Sequence, residues 1–339
     1  MGKNVGEIGE FGLIAKIREW LSAARDASRP AGPEIGDDCA VFMPPPGHEI
    51  LLTCDTLVEG RHYLPSLIRP YDLGRRAMVQ NISDIGAMGG LPLYALVSLG
   101  LRPETQVSEV EDMYSGFLSE LSRLDASIIG GNITSVETGR FIDITVVGSV
   151  PQGRAVTRRG ARPGDAVLVT GFPGESGAAL RLFQANRRDD AVAGELSDSY
   201  LCPVHRALEG RAVADQGYAG AMIDTSDGMA ADLGHICSES RVGARIYSEN
   251  LPVRPCLRRA AELLNCEPVD LVLGTSDDYE LLITCPPEHA GEVADTVSAV
   301  SGVPVALIGT VTAENETIVL VTDSKEHILE TPGWDHFRL

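Results

Sequence analysis

Acidic residues in this chain gather where apolar runs stop. Asp55 closes the run Glu49-Ile-Leu-Leu-Thr-Cys-Asp55, and Asp84 sits within Asn81-Ile-Ser-Asp-Ile-Gly-Ala-Met-Gly89. Asp37 and Asp38 follow Ile35-Gly36. Asp224 and Asp227 lie in Ile223-Asp-Thr-Ser-Asp-Gly228, and Asp277 and Asp278 in Gly274-Thr-Ser-Asp-Asp-Tyr-Glu280. Carboxylates at strand ends can converge on one crevice, where several stay ionised together only if cations neutralise them. Hard divalent cations with oxygen ligands do this, and Mg2+ usually shares its shell with substrate phosphates. Turn and N-cap chemistry accounts for any single Asp-Gly. Recurrence in all of these segments, several with paired carboxylates, favours a metal-bound phosphate site.

The elements between these segments read as mixed strand and helix. Leu13, Ile14, Ile17, Trp20 and Leu21 share one face of a helix over 9–25, and 72–90 and 107–121 carry further helical spacing. Strands are predicted at 49–55, 92–101, 127–131 and 141–150. A cluster of Gly, Pro and Arg over 151–164 marks a boundary between residues 1–150 and 151–339. Beyond it, strands are predicted at 166–170, 218–224, 270–273 and 279–285, with helices at 176–184 and 229–240. This order implies an α/β or α+β protein in two halves. The length of 339 residues, 44% of them hydrophobic, suits two buried cores.

The charge balance narrows the partners. Forty-eight acidic against 28 basic residues give a formal charge of −20, which repels nucleic acid. Arg154, Arg158, Arg159 and Arg162 form one short basic cluster, large enough to hold a phosphate and equally suited to a solvated loop. The seven cysteines are scattered without a C-x-x-C pair, so a disulfide framework or zinc site is not expected and a reducing cytoplasm is. No run of about 18 apolar residues is present to span a membrane.

Familiar phosphate and nucleophile signatures are missing. There is no G-x-x-x-x-G-K-[ST] and no H-R-D with D-F-G. Gly171-Phe-Pro-Gly-Glu-Ser-Gly177 opens a helix after a strand and could present N–H groups to a phosphate, or be a plain turn. His62, by itself, reads as a surface histidine in the loop after Asp55.

Taken in order, these segments resemble one family. Gly9-Glu-Phe-Gly-Leu-Ile14, Ile35-Gly-Asp-Asp-Cys-Ala40, Cys54-Asp-Thr-Leu-Val58 with His62, and the Asn81–Gly89 segment begin the match. Gly153-Arg-Ala-Val-Thr-Arg-Arg-Gly-Ala-Arg-Pro-Gly-Asp165, Ile223–Gly228, Asp278-Tyr-Glu-Leu281 and Gly333-Trp-Asp-His-Phe337 complete it. The chain resembles the thiamine-monophosphate kinases of the aminoimidazole-ribonucleotide-synthetase-like superfamily. The resemblance implies a homodimer in which N-terminal ATP- and Mg2+-binding halves pair, each followed by an α/β half that completes the site. It implies transfer of the ATP γ-phosphoryl to thiamine monophosphate. By position, Asp38, Thr53, Asp55, Asp84, Asp224 and Asp227 would be Mg2+ ligands, with Asp84, Asp55 and Asp224 central to catalysis. Gly131, Arg158 and Ser226 would meet ATP, and His62, Asp277 and Trp334 would hold the thiamine phosphate.

Three positions depart from the family pattern. Asn132 stands where many relatives carry an Asp metal ligand beside the nucleotide, which removes about one unit of negative charge. Cys54 replaces a common Thr beside Asp55: the change is mild if this position meets the metal through its backbone carbonyl, whereas a thiol is a poor replacement for a hydroxyl ligand of Mg2+, and Cys54 and Asn132 are both expected around one ion. Thr275-Ser276-Asp277 replaces Gly-Gly-Glu with a shorter carboxylate. The resemblance therefore leaves open a different acceptor on the same fold, or a catalytically weak nucleotide-binding relative. The selenophosphate synthetases carry a reactive Cys or selenocysteine near a glycine-rich N-terminal loop, absent before Cys39. Hydrogenase-maturation relatives end in a functional Cys, whereas this chain ends His336-Phe-Arg-Leu339.

Overall fold

The computed structural model describes residues 2–24, 35–323 and 325–330. The closing segment with Trp334 lies outside these residues. The chain divides into two compact units, residues 1–85 with 91–151, and residues 86–90 with 152–339.

The first unit contains α1 (Val5–Ala24), β1 (His48–Val58), α2 (Pro70–Ala87), β2 (Leu91–Leu101), α3 (Val107–Leu121), β3 (Ser127–Ser135) and β4 (Phe141–Pro151). Helix α1 starts ahead of the expected Gly9, which instead kinks it at φ 67°. Among the described residues, this unit forms a four-stranded sheet in the order β1-β4-β2-β3, antiparallel except for β2 with β3. Period-2 alternation gives the sheet two unlike faces. Leu51, Leu57, Ala95, Val97, Leu99, Ile142, Ile144 and Val146 are buried, as are Met78 and Ile82 of α2 and Phe117 and Leu121 of α3. The alternate residues face outward, and Leu52 stays 70% exposed beside Ile50, Val58 and Leu96.

The second unit adds β5 (Ala166–Thr170), α4 (Glu175–Gln184), α5 (Ala191–Leu201), α6 (Ala207–Gln216), β6 (Ala221–Asp224), α7 (Met229–Ser240) and β7 (Gly243–Tyr247). It continues with α8 (Pro255–Leu264), α9 (Pro268–Leu273), β8 (Leu281–Cys285), α10 (Ala290–Ser301), β9 (Val305–Thr312), β10 (Ile318–Thr322) and β11 (Lys325–Ile328). The sheet order among the described residues is β11-β10-β7-β9-β5-β8-β6, with β7 and β10 parallel and the other pairs antiparallel. Every residue of β5, β6 and β8 is buried, so these strands read as continuous apolar runs rather than alternating ones. Leu168, Met222, Ile283, Val293 and Val297 share the core with Val213 of α6.

Antiparallel pairing sets where the chemistry can sit. Val169 pairs with Leu282 and Asp224 with Leu281. The ends of β5 and β6 and the start of β8 therefore share one edge, and the loops after Thr170, after Asp224 and before Leu281 meet there. Residues 270–273, expected as a strand, belong instead to helix α9. Pro268 occupies its first turn, and Glu267 and Asp270 form a reciprocal capping box. A four-residue apolar run does not distinguish strand from helix; the preceding Pro and capping pair do.

Gly131 is a backbone requirement of β3. Its φ is 152°, and a Cβ there would lie 1.8 Å from the Val97 oxygen of the paired strand. Gly131→Ala is therefore expected to cost more than about 2 kcal/mol in chemical denaturation. Gly153→Ala, at φ 75° with nothing within 4 Å of the added carbon, is the control, and its expected cost is about 1 kcal/mol.

Candidate active site

In the first unit, alternation along β1 points Thr53 and Asp55 to the same side as buried Leu51 and Leu57. There they meet α2. The Thr53 hydroxyl donates to Asp84 Oδ2, and Gln80 donates to Asp55. Burial, followed by the neighbouring charge of Asp84, pushes the Asp55 carboxyl up to about 7; the Gln80 bond opposes the shift. Two carboxylates and a hydroxyl facing one another form an oxygen-only donor set that repels itself without a cation. That set fits a hard divalent ion.

Cys54 does not join this group. Its thiol lies on the opposite face, 3.6 Å from Asp143 Oδ1 and 3.4 Å from Thr145 Oγ1. Thr56 donates to the same Asp143 at 2.5 Å. The ladder Thr56–Asp143–Ser98–Asn132 runs across this open face. Cys54 and Asn132, expected around one ion, thus share a face but stand on the two edge strands, about 14 Å apart at ordinary strand spacing. A common ion within one chain is ruled out by that spacing. Asp38 sits on an exposed loop ahead of β1.

In the second unit, Asp224 ends β6 and is 2% exposed, while Ser226 stands in solvent and Asp227 is half-buried. The residue that organises them is Asp232, which sequence reasoning missed. From the first turn of α7, its Oδ2 accepts the backbone N–H groups of Ser226 at 3.0 Å, Asp227 at 3.3 Å and Gly228 at 3.1 Å. Burial, with the charges of Asp224 and Asp227, pushes Asp232 up to about 8. Asp227, Asp232 and His235 bring ligand atoms within 4.8 Å of one another. The available sequence signal was a second Asp five residues after Asp227, one helical turn into α7.

The loop before β8 fills the turn after β5. Asp278 accepts from the N–H groups of Gly174 at 2.6 Å and Ser176 at 2.9 Å, and Ser276 Oγ accepts from Gly177 at 2.8 Å. The amides of Gly174, Ser176 and Gly177 are therefore capped by the protein itself, which favours the plain turn over the phosphate site as the reading of Gly171–Gly177. Asp277 accepts from Ser176 Oγ at 2.6 Å. Beneath the loop, Glu280 takes a hydrogen bond from Thr170 at 2.5 Å and a two-pronged one from Arg206 at 2.7 and 2.5 Å. Tyr279 adopts φ 56°, unusual for a bulky residue. It is held by its N–H to Thr225 O and by Thr225 N–H to Glu280 O, each 2.8 Å. Beside these groups lies a cavity of about 290 Å3 whose walls include Phe172, Arg206 and Arg254. Its arginines pair with Glu280 and Glu175.

Two further site residues are held by backbone contacts. Val58 N–H donates to His62 Nδ1 at 2.9 Å, which makes Nε2 the nitrogen that carries the proton in the neutral ring. The loop bearing Arg158 is pinned by Ser240, whose hydroxyl donates to Arg158 O and accepts from Gly160 and Ala161 N–H. Arg158 itself is exposed.

The raised carboxyls set a pH dependence for the metal-free chain. Asp55 moves from 3.8 to about 7 on folding, so the native state keeps a proton that the unfolded chain releases across that window. Its stability contribution is full below about pH 4 and is lost as pH rises through 7. In EDTA, Tm is expected to fall from pH 5 to pH 8, Asp55→Asn to flatten the fall, and Mg2+ to restore Tm at pH 8. A profile unchanged by the substitution contradicts this assignment.

Residues 36–150 match the N-terminal domain of AIR synthase related proteins, and 162–322 match the C-terminal domain. The chain is 37% identical over 332 residues to the thiamine-monophosphate kinase of Escherichia coli (strain K12), covering 97% of this chain and 98% of that protein. It is 35% identical over 336 residues to the Aquifex aeolicus enzyme of the same name, covering 98% and 99%. Among solved structures, AaThiL complexed with AMPPCP and TMP superposes with a TM-score of 0.76 at 35% identity, over 98% of each chain. The kinase from Stenotrophomonas maltophilia superposes with a TM-score of 0.80 at 29% identity, over 94% of this chain and 98% of that one. E. coli HypE, a hydrogenase maturation protein, reaches a TM-score of 0.78 at 19% identity, over 94% and 96%, which shows a common fold alone. With both domains matched and relatives of this identity spanning nearly its full length, the chain belongs to the thiamine-monophosphate kinase family of AIR synthase related proteins.

Proposed function

We propose that the chain transfers the γ-phosphoryl of ATP directly to thiamine monophosphate, giving thiamine diphosphate, with Mg2+ as cofactor. The observation that carries this reading is its full-length likeness, at 35% identity, to a structure complexed with AMPPCP and TMP. The acceptor is itself a phosphate, so the attacking oxygen is already anionic and no strong general base is required. Positioning and charge neutralisation then supply most of the acceleration.

Each unit contributes a carboxylate cluster suited to that task. Thr53, Asp55 and Asp84 would hold Mg2+ in the first, and Asp224 and Asp227 in the second. When bound, Mg2+ neutralises charge on the phosphoryl oxygens. Asp38 supplies a further carboxylate from its exposed loop. Arg158 and Ser226, both exposed on second-unit loops, contact the nucleotide, and Gly131 lets the chain approach it closely. His62, with Nδ1 engaged by Val58 N–H, would meet the acceptor phosphate. Asp277 would orient thiamine monophosphate from a loop tied to Ser176, and Trp334, outside the described residues, is the aromatic ring the reading assigns to the cationic thiazolium.

A homodimer is part of the same reading. The uncovered face of the four-stranded sheet exposes Ile50, Leu52, Val58 and Leu96 around the polar ladder of Thr56, Asp143, Ser98 and Asn132. A second copy is the occupant that would cover it. A cytoplasmic location agrees with seven free cysteines and with the absence, among the described residues, of any helix long and apolar enough to cross a membrane.

Incubation with ATP, Mg2+ and thiamine monophosphate is expected to yield thiamine diphosphate by chromatography, and EDTA to abolish it. Absence of product while MgAMPPCP still binds would overturn the acceptor assignment. Asp84→Asn is expected to lower kcat by roughly a hundredfold or more with an unchanged circular-dichroism spectrum. His62→Ala is expected to raise KM for thiamine monophosphate more than for ATP. Leu52→Asp is expected to halve the mass measured by sedimentation.

A further inference from the structure

We propose that helix α7 is the positioning element for the nucleotide side of the site, with Asp232 and Ser240 as its two fixing residues. The inference rests on reading Asp224, Asp227 and Arg158 as nucleotide-side groups. It concerns two residues that this reading does not use.

Asp232 gathers three consecutive backbone N–H groups, those of Ser226, Asp227 and Gly228, on one carboxylate oxygen. It is 1% exposed and sits in the first turn of α7, so its own position is fixed by packing. Those amides are donors that a loop leading into a helix must satisfy. With one acceptor holding all three, the loop has one shape, and the side chains of Ser226 and Asp227 leave it in fixed directions. Gly228 completes the constraint: its φ is 119°, and a Cβ there would lie 2.3 Å from Gly274 O, so no other residue fits. A Ser at 232, with a shorter side chain, would reach fewer of the three donors.

Ser240 repeats the arrangement at the other end of the same helix. One hydroxyl donates to Arg158 O at 3.0 Å and accepts from Gly160 N–H at 3.0 Å and Ala161 N–H at 3.2 Å. The Arg158 side chain is exposed, and the backbone under it is held by this tie together with Thr157, whose hydroxyl donates to Arg159 O at 2.8 Å. Helix α7 thus bridges the loop that carries Asp227 and the loop that carries Arg158, and it sets the spacing between them.

The test uses the full chain and MgAMPPCP as probe, with calorimetry for affinity and amide hydrogen exchange for the loops. Asp232→Ala is expected to weaken MgAMPPCP binding roughly tenfold, raise the Mg2+ midpoint, and speed exchange at 226–228. Asp232→Asn, which keeps an acceptor oxygen, is expected to recover part of each effect and serves if the alanine variant fails to fold. Ser240→Ala is expected to speed exchange at 160 and 161 and weaken MgAMPPCP several-fold without moving the Mg2+ midpoint. Equal losses in the Asn and Ala variants at position 232 would overturn positioning and make Asp232 a ligand itself. Unchanged exchange at 226–228 would overturn the inference whatever the affinity. If the unsubstituted chain does not bind MgAMPPCP, the nucleotide reading fails, while the exchange rates still judge the role of α7.

Discussion

Like-charged carboxyl groups held close together are the constraint on which this structure turns. Asp55 faces Asp84 from within β1, and Asp232 faces Asp224 and Asp227 beyond the end of β6. Burial and mutual repulsion push Asp55 to about 7 and Asp232 to about 8. Such groups cost stability unless something neutralises them, and a fold that retains them in both units uses them. The chemistry they suit is one in which phosphate and divalent cation arrive together. That is the chemistry of a family whose members act on ATP and a phosphorylated acceptor.

The surrounding architecture holds these groups in place rather than softening them. In the first unit, Thr53 and Gln80 fix the two acids from opposite elements. In the second, β5 and β6 end where β8 begins, and the three adjoining loops are tied to one another. Asp278 caps α4, Glu280 binds Thr170 and Arg206, and Asp232 holds the loop after β6. A polar network in which every member is satisfied rigidifies its surroundings. A rigid setting keeps the geometry of the acids fixed.

Much of this was legible in the sequence because it depended on local pattern. Asp224 before Ser226 and Gly228 announced a strand end bearing a carboxylate, whereas Asp55, expected to close its strand, lies within β1, which runs on through the apolar Leu57 to Val58. The long strands and helices of the first unit followed from their spacing. What escaped the sequence was orientation and satisfaction. Strict alternation from Asp55 already turned Cys54 to the other face, but its neighbours in sequence drew it into the metal set. Asn132 was joined to Cys54 because strand order is invisible without the fold. The Gly171–Gly177 turn stayed open between a phosphate site and a plain turn because the partner of its amides, Asp278, lies about a hundred residues away in sequence. Asp232 read as an ordinary helix residue, since three donors converging on one oxygen appear only when the loop is closed.

The central claim is that each unit's carboxylate cluster binds divalent cations for a phosphate substrate. It is tested most directly by titrating Mg2+ calorimetrically into the chain with AMPPCP present, and repeating this with Asp84→Asn and Asp224→Asn. The account predicts Mg2+ binding that depends on the nucleotide and loses stoichiometry in each variant. Undiminished stoichiometry in both variants would contradict it, and the acids would then be structural features of the fold.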